Sequence, residues 1–261
     1  MGENRLTGLR ERLWDFGLRW ALLSRPIGYK VHRIDRRRVL KWIDTPTEAS
    51  SMAFVARNTT IPIPRVYEIV RHEGRYALIM EYIDASERAW GKLTADAKAS
   101  VAKQLGEYIS QLRDLIPPHP GIVECIDGCA CRDPKLNMPL EVGTVEYFHE
   151  SLGHDLVRDS THADWAPYRP KFEQIRGRKY KTMFCHADLS WHNILIRDGR
   201  IVAILDWESA GWYPEYWEYT RLSLCWVMDP KFWELLQPHL TVYPDELAAD
   251  LALSDAITGY W

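Results

Sequence analysis

No stretch of the chain is long and apolar enough to cross a bilayer. The richest run, residues 13–23, is broken by Asp15, Gly17 and Arg19. No small-residue cleavage site follows it, so it does not read as an export signal. Leu13, Trp14, Leu18, Trp20 and Leu22 instead suit the inward face of an amphipathic helix, and we expect a cytoplasmic protein that does not engage membranes. Cysteine is scarce, five residues and odd in number, which excludes a fully paired disulfide framework and suits a reducing compartment. Cys125, Cys129 and Cys131 crowd together as C-x₃-C-x-C, but no second Cys/His element completes a structural zinc site. We therefore expect reduced thiols in a loop. Charge of one sign is also lacking: the net charge is −3, which gives no basic footprint for nucleic acid. There is no internal repeat, no low-complexity stretch and no G-x-G triplet anywhere. What remains, 46% apolar and 26% charged residues over 261 positions, is an ordinary globular chain, long enough for two lobes sharing a cleft.

From residue 30 the pattern is that of strands. Residues 30–34 and 38–43 are β-branched or apolar runs around a polar turn at Asp35-Arg36-Arg37, a hairpin. Thr45-Pro46-Thr47-Glu48 reads as a helix start, with Thr45 as N-cap, proline at the first helical position and glutamate at the third. Glu48, Met52 and Val55 then share one face, and the prolines of Ile61-Pro62-Ile63-Pro64 end the helix. Strands over 66–71 and 76–83 follow. After Asp84 the pattern turns helical, with Val101, Leu105, Tyr108, Ile109 and Leu112 on one face across 95–115. Residues 116–180 are loop-rich, with a helix near 145–155. His149 and His154 lie five apart there, so on one helix they diverge and make no zinc-protease pair. We expect an α+β chain in two lobes: a small β-rich lobe over 1–83 carrying one helix, and a larger, mainly helical lobe over 84–261. Their junction is a natural place for a ligand.

The chemistry concentrates in Cys185-His186-Ala187-Asp188-Leu189-Ser190-Trp191-His192-Asn193-Ile194-Leu195-Ile196 and in Val202-Ala203-Ile204-Leu205-Asp206-Trp207-Glu208. Asp188 precedes Asn193 by five residues, and Asp206 follows Asn193 by thirteen. Between the last two, strands over 194–196 and 201–205 flank Arg197-Asp198-Gly199-Arg200. A tight Asp-Gly turn would bring Asn193 and Asp206 to the same end of a hairpin. An amide and a carboxylate supply the hard oxygens that magnesium takes, alongside substrate phosphates. Asp188, at the other end of the loop, is placed to accept a hydroxyl proton. These are the spacings of the kinase catalytic loop and its metal-binding aspartate, with Ala187 in place of arginine and Asp-Trp-Glu in place of Asp-Phe-Gly.

With H-x-D-L-x-x-x-N-I-L and I-x-D-W-E the chain resembles the aminoglycoside phosphotransferase family, which is related to choline kinases and shares the protein-kinase-like fold. Gly211-Trp212-Tyr213-Pro214-Glu215-Tyr216-Trp217-Glu218-Tyr219 and Thr60-Ile61-Pro62-Ile63-Pro64-Arg65-Val66 are similar to its fungal-type branch, and the likeness extends over most of 38–220. The resemblance implies phosphoryl transfer from ATP or GTP, with Mg²⁺, to a hydroxyl of a small molecule. It implies Asp188 as catalytic base, Asn193 and Asp206 as metal ligands, and His186 as a brace for the catalytic loop. It also implies Lys41 as the lysine that contacts the phosphates, Glu48 as its ion-pair partner, and Glu81 and Ile83 as the hinge that meets the base.

One departure stands out, because kinases usually cover the phosphates with a glycine-rich loop. The first hairpin here offers Asp35-Arg36-Arg37-Arg38, whose arginines become candidates for touching the phosphates. Two rivals keep the fold and change the function: a non-catalytic nucleotide-binding pseudokinase, and a protein kinase. Against the second, no A-P-E segment follows Asp206. The tryptophans at 191, 207, 212, 217, 226 and 233 read as core more readily than as a cage for a cation. Asp229, Glu234, Asp245, Glu246, Asp250 and Asp255 read as a solvated acidic face, or as contacts for a cationic acceptor.

Overall fold

Strand β3 (Arg38–Ile43) shows no polar face because both its sides are covered; every residue after Arg38 is buried. In the computed structural model, which describes residues 26–258 apart from 29, 73, 86, 134–138, 160, 162–164 and 227–228, β3 sits at the centre of a five-stranded antiparallel sheet. The order is β1 (Pro26–Gly28), β2 (Val31–Arg33), β3, β5 (Arg75–Glu81), β4 (Val66–His72). The expected helix over 13–23 lies outside the described residues. Alternation sends Leu40, Trp42, Ala77 and Ile79 into one small cluster. Val39, Ile43, Leu78 and Met80 go to the opposite side and join the main core with Ala49, Met52 and Val55. Those last three come from helix α1 (Thr47–Asn58). No side chain caps α1; the residue before it is Pro46, so the expected Thr45 cap and its capping box are not formed. Glu48 turns inward to the Lys41 ammonium instead, an ion pair out of water that outweighs a bond to an exposed amide.

The rest of the chain is mainly helical. Helix α2 (Ala95–Arg113) starts where Thr94 Oγ1 accepts from the Ala97 N–H at 3.2 Å. Next come β6 (Ile122–Cys125), β7 (Gly143–Thr144), and the short helices α3 (Val145–Ser151), α4 (His154–Asp159) and α5 (Arg169–Ile175). Strand β8 (Thr182–Cys185) leads to the hairpin β9 (Ile194–Arg197) and β10 (Arg200–Ile204). Strand β11 (Gly211–Pro214) closes a second sheet, ordered β7-β6-β11-β8. Helices α6 (Trp217–Cys225), α7 (Pro230–Leu236) and α8 (Pro244–Thr258) follow. Trp207, Trp212, Trp217 and Trp226 are fully buried core residues and Trp233 is half-buried, but Trp191, expected in the core, is exposed and lines the cleft described below. The Pro62 carbonyl accepts from the Ile204 N–H at 2.8 Å, so the extended Pro-x-Pro segment ties the first sheet to the β9–β10 hairpin. Among the described residues no helix is long and apolar enough to cross a membrane.

The cysteines and the His149–His154 pair also depart from expectation. Cys125 and Cys129 are joined by a disulfide, while Cys131, Cys185 and Cys225 are free thiols. Gly128, at φ 66°, lets the Gly128 N–H reach the Cys125 carbonyl at 3.0 Å. That turn brings the two Cα atoms to 5.2 Å, within bridging range. His149 and His154 do not diverge: α3 stops at Ser151, Gly153 (φ 84°) redirects the chain, and the rings stack with centroids 4.8 Å apart.

Candidate active site

Asp198 (φ 51°) and Gly199 (φ 71°) turn the β9–β10 hairpin in two residues, the left-handed pair a type I′ turn requires. Ile194 then pairs with Ile204, and the Leu205 N–H donates to the Asn193 carbonyl at 2.8 Å. Asn193 and Asp206 thus end side by side, and both line a cleft of about 500 Å³ with Lys41, Glu48, Glu208, Glu81 and Ile83.

Lys41 is the electrostatic centre of this cleft. Its Nζ lies 2.8 Å from both Glu48 carboxylate oxygens and 2.8 Å from Asp206 Oδ1. Burial opposes the charge on Lys41, but Glu48 and Asp206 outweigh it and hold the pKa above that of an ordinary lysine. Glu48 is more deeply buried; desolvation raises its pKa to about 7, against the pull of Lys41 and with a push from Asp206 and Glu208. The asymmetry has a simple cause: the ammonium has two anionic partners, whereas Glu48 has one cation and two like charges.

On the catalytic loop, Asn193 Nδ2 donates to the Asp188 carbonyl at 2.8 Å and to Asp188 Oδ2 at 3.0 Å. Both amide hydrogens are thereby committed, and Oδ1 remains as an acceptor. Ser190 Oγ approaches Asp188 Oδ1 at 3.4 Å. Burial raises the pKa of Asp188, while His192 and the Asn193 hydrogen bond pull it down. The hard oxygens of Asn193 and Asp206 suit a divalent ion, and Glu208 adds another: atoms of Glu48, Asp206 and Glu208 lie within 4.8 Å of one another. Asn193 and Glu208 line the same cleft as Asp206, so these three side chains are candidates for holding a divalent ion.

His186 is fully buried, and desolvation pushes its pKa down to about 4. The neutral ring donates from Nε2 to the Leu205 carbonyl at 2.9 Å and accepts at Nδ1 from the Asp188 N–H at 3.2 Å. It therefore spans the two chain segments that carry Asp188 and Asp206. Ala187 (φ 66°) and Asp206 (φ 63°) both hold the left-handed conformation, which costs a non-glycine residue energy and marks a backbone fixed by its surroundings. Glu218 does that fixing for the first of them. Its Oε2 accepts from the N–H groups of His186 (2.6 Å) and Ala187 (3.2 Å). The sequence reading gave Glu218 no role; its signal was an acidic residue inside an otherwise aromatic run. Ser190 and Glu208 were also missed, each masked by a neighbour with a stronger motif.

At the hinge, Glu81 and Ile83 line the cleft as expected, and the Tyr82 N–H donates to the Arg37 carbonyl at 2.7 Å. That bond corrects one expectation. The Asp35–Arg38 turn lies at the hinge end of the sheet, where Arg33 sits 3.9 Å over the Tyr82 ring, and its arginines line a separate hollow with Tyr67 and Glu68. Register explains it, since Arg38 pairs with Glu81 while Lys41 pairs with Val31. The β1–β2 hairpin, through Ile27, Gly28, Lys30 and Val31, is the one that walls the cleft. The acidic residues of the C-terminal helices are largely engaged within the protein. Asp229 takes Lys98 (2.8 Å) and Trp90 (2.9 Å), and Arg178 takes Asp245 and Glu246.

A β-sheet lobe with a lysine–glutamate pair, a hinge, and a helical lobe with an Asp-x₄-Asn loop define the class: a kinase-like phosphotransferase. The sequence profile of the phosphotransferase enzyme family matches residues 29–240, and the chain belongs to that family. No curated protein sequence matches. Among solved structures, the streptomycin–ATP ternary complex of APH(2″)-IIa aligns over 96% of this chain and 91% of that one, at 15% identity and TM-score 0.58. A thermostable mutant of APH(4)-Ia with ADP and hygromycin B covers 91% and 87% at 16% identity, TM-score 0.58. APH(3″)-Id from Streptomyces rimosus, with ADP and streptomycin, covers 88% and 91% at 15% identity, TM-score 0.56. At these identities the likeness is one of fold.

Proposed function

We propose that the chain is an ATP-dependent small-molecule kinase, with a nucleotide-binding lobe over 1–83 and a catalytic lobe over 84–261. One observation carries the reading: Lys41 bridges Glu48 and Asp206 at 2.8 Å while Asn193 holds the Asp188 carboxylate at 3.0 Å. Phosphoryl transfer needs positioning and charge stabilisation more than covalent help, and these residues supply both. Lys41 draws the phosphate oxygens into line, and the backbone around Glu81 and Ile83 receives the base. Asp188 orients the acceptor hydroxyl and takes its proton as the oxygen–phosphorus bond forms and the bond to the β-phosphate oxygen breaks. Asn193, Asp206 and Glu208 would hold Mg²⁺, which neutralises phosphate charge when bound. Convergence of all these groups favours catalysis over a binding-only module. A protein kinase is disfavoured by the short passage from Asp206 to β11, which leaves no room for an activation segment.

The test is ADP release in the presence of Mg²⁺ over a panel of hydroxylated acceptors. Asp188→Ala should lower turnover by roughly 10²–10⁴-fold yet still bind nucleotide. Asp206→Ala should lose the Mg²⁺-dependent part of nucleotide binding. Normal turnover by Asp188→Ala refutes the role given to that residue.

A further inference from the structure

Helix α6 presents one stripe to the catalytic loop: Glu218, Arg221 and Cys225, spaced three and four apart. Glu218 holds the loop amides, and the Cys225 thiol points at Asp188 Oδ1 from 3.9 Å. Arg221 stands between them. Asp188 and Glu218 both feel its charge, and its guanidinium carbon lies 5.6 Å from the centre of the Trp217 ring. Its Nε is closed off from solvent and has no hydrogen-bond partner; among the described residues the side chain forms no ion pair. A guanidinium is always charged and offers a planar fork of donors. Left half-buried and unpaired beside a base, it is a receptor for oxygen atoms, above all those of a carboxylate.

The surroundings point the same way. Asn193 lines the nucleotide cleft, while Cys225 meets Asp188 from α6, with Arg221 one turn before it on the same face. A polycationic acceptor would need unpaired carboxylates there. Asp229 is bound by Lys98 and Trp90, and Asp245 and Glu246 by Arg178, so these three of the six acidic residues expected to greet a cation are engaged within the protein.

We infer that Arg221 recognises an anionic group on the acceptor, so that the phosphorylated hydroxyl belongs to a hydroxy acid and not to a polyamine. The inference rests on the kinase reading above and names the substrate class for that same site. Arg221 undergoes no covalent change; it pairs with the acid while Asp188 accepts the hydroxyl proton.

Acceptors that share a skeleton and differ only in charge test it. Gluconate, glucitol and glucamine form one set, and glycerate, glycerol and aminopropanediol another. Wild-type protein should give the highest kcat/KM for the acid of at least one set. Arg221→Gln should raise the KM for that acid about 10- to 100-fold, the worth of hydrogen bonds to a charged group, and change the KM for the neutral alcohol less than about threefold. Arg221→Lys, which keeps the charge without the fork, should fall between. If acid and alcohol suffer equally, Arg221 only offsets the charge of Glu218 and the inference is overturned. Preference for the amine overturns it as well. Calorimetric binding of a deoxy acid to the ADP-bound protein, weakened by Arg221→Gln, needs no turnover. ADP release without acceptor separates the two levels: its presence alongside indifference to the acid sinks only this inference, and its absence in every assay sinks the kinase reading.

Discussion

Glu218 offers the sharpest test of how the catalytic loop is held. It is 3% exposed and accepts two backbone N–H groups, one from Ala187 in a left-handed conformation. Glu218→Gln keeps an oxygen where Oε2 stands, so both amides stay paired. Glu218→Ala leaves both buried and unpaired, at about 1–3 kcal/mol each. The alanine variant should therefore be about 2–6 kcal/mol less stable than the glutamine variant. For a chain of this length that is a Tm lower by about 4–24 °C. Relaxation of the loop moves Asp188, and a shift near 1 Å costs about 100-fold in turnover. Calorimetry and ADP release, run on both variants, measure the two effects. Equal Tm and equal turnover for alanine and glutamine would refute the claim that hydrogen-bond acceptance by this side chain shapes the loop.

Two further outcomes follow from burial and packing. Desolvation raises the pKa of Glu218 to about 7 from an ordinary value of 4.5; a carboxyl with a raised folded pKa favours folding below the lower value and loses that contribution as pH rises to the higher. Relative to wild type, Glu218→Gln should gain up to about 3 kcal/mol between pH 4.5 and pH 8, read by denaturant unfolding. His186 changes stability in the opposite sense over pH 4–6.5, because its pKa is lowered to about 4, but it is common to both proteins and cancels in the difference. Gly106 lets α2 approach the segment before α8 closely: an added Cβ would collide with His239 Cβ and meet its carbonyl oxygen at 3.1 Å. Gly106→Ala should cost about 1–3 kcal/mol despite alanine's better helix propensity, and a stabilised variant would contradict the packing.

The sequence was most legible where chemistry is local. Asp188, Asn193 and Asp206 lie within twenty residues, and the Asp198-Gly199 turn dictates how their ends meet, so spacing alone placed them. Lys41 and Glu48 were legible for a similar reason, one in an apolar strand and the other on a helical face seven residues on. Thr45 misled because a capping-box pattern looks the same whether glutamate turns back to the helix or across to a buried lysine. The Cys125–Cys129 bridge was hidden because its existence depends on a turn at Gly128, and the His149–His154 stack depends in the same way on Gly153. The arginine turn at 35–38 was misassigned by one hairpin. Residues 26–28 contain proline and glycine and give a weak strand signal, so the hairpin that walls the cleft went uncounted.

That miscount also changes what the missing glycine pattern means. With β1 and β2 as the covering hairpin, Gly28 lies in the strand and Lys30 takes a left-handed backbone at φ 57°, the conformation glycine would otherwise supply. Lys30 and Gly28 line the cleft with Lys41, so a backbone turn and a cation are both present without a G-x-G triplet. The acceptor side has no such local signature. The residue proposed for it, Arg221, lies more than thirty positions beyond Asp188 and becomes informative only when the fold shows which charges are already paired. The proposed nucleotide chemistry can therefore be read from a motif, whereas the acceptor choice proposed for Arg221 depends on which charge the fold leaves without a partner.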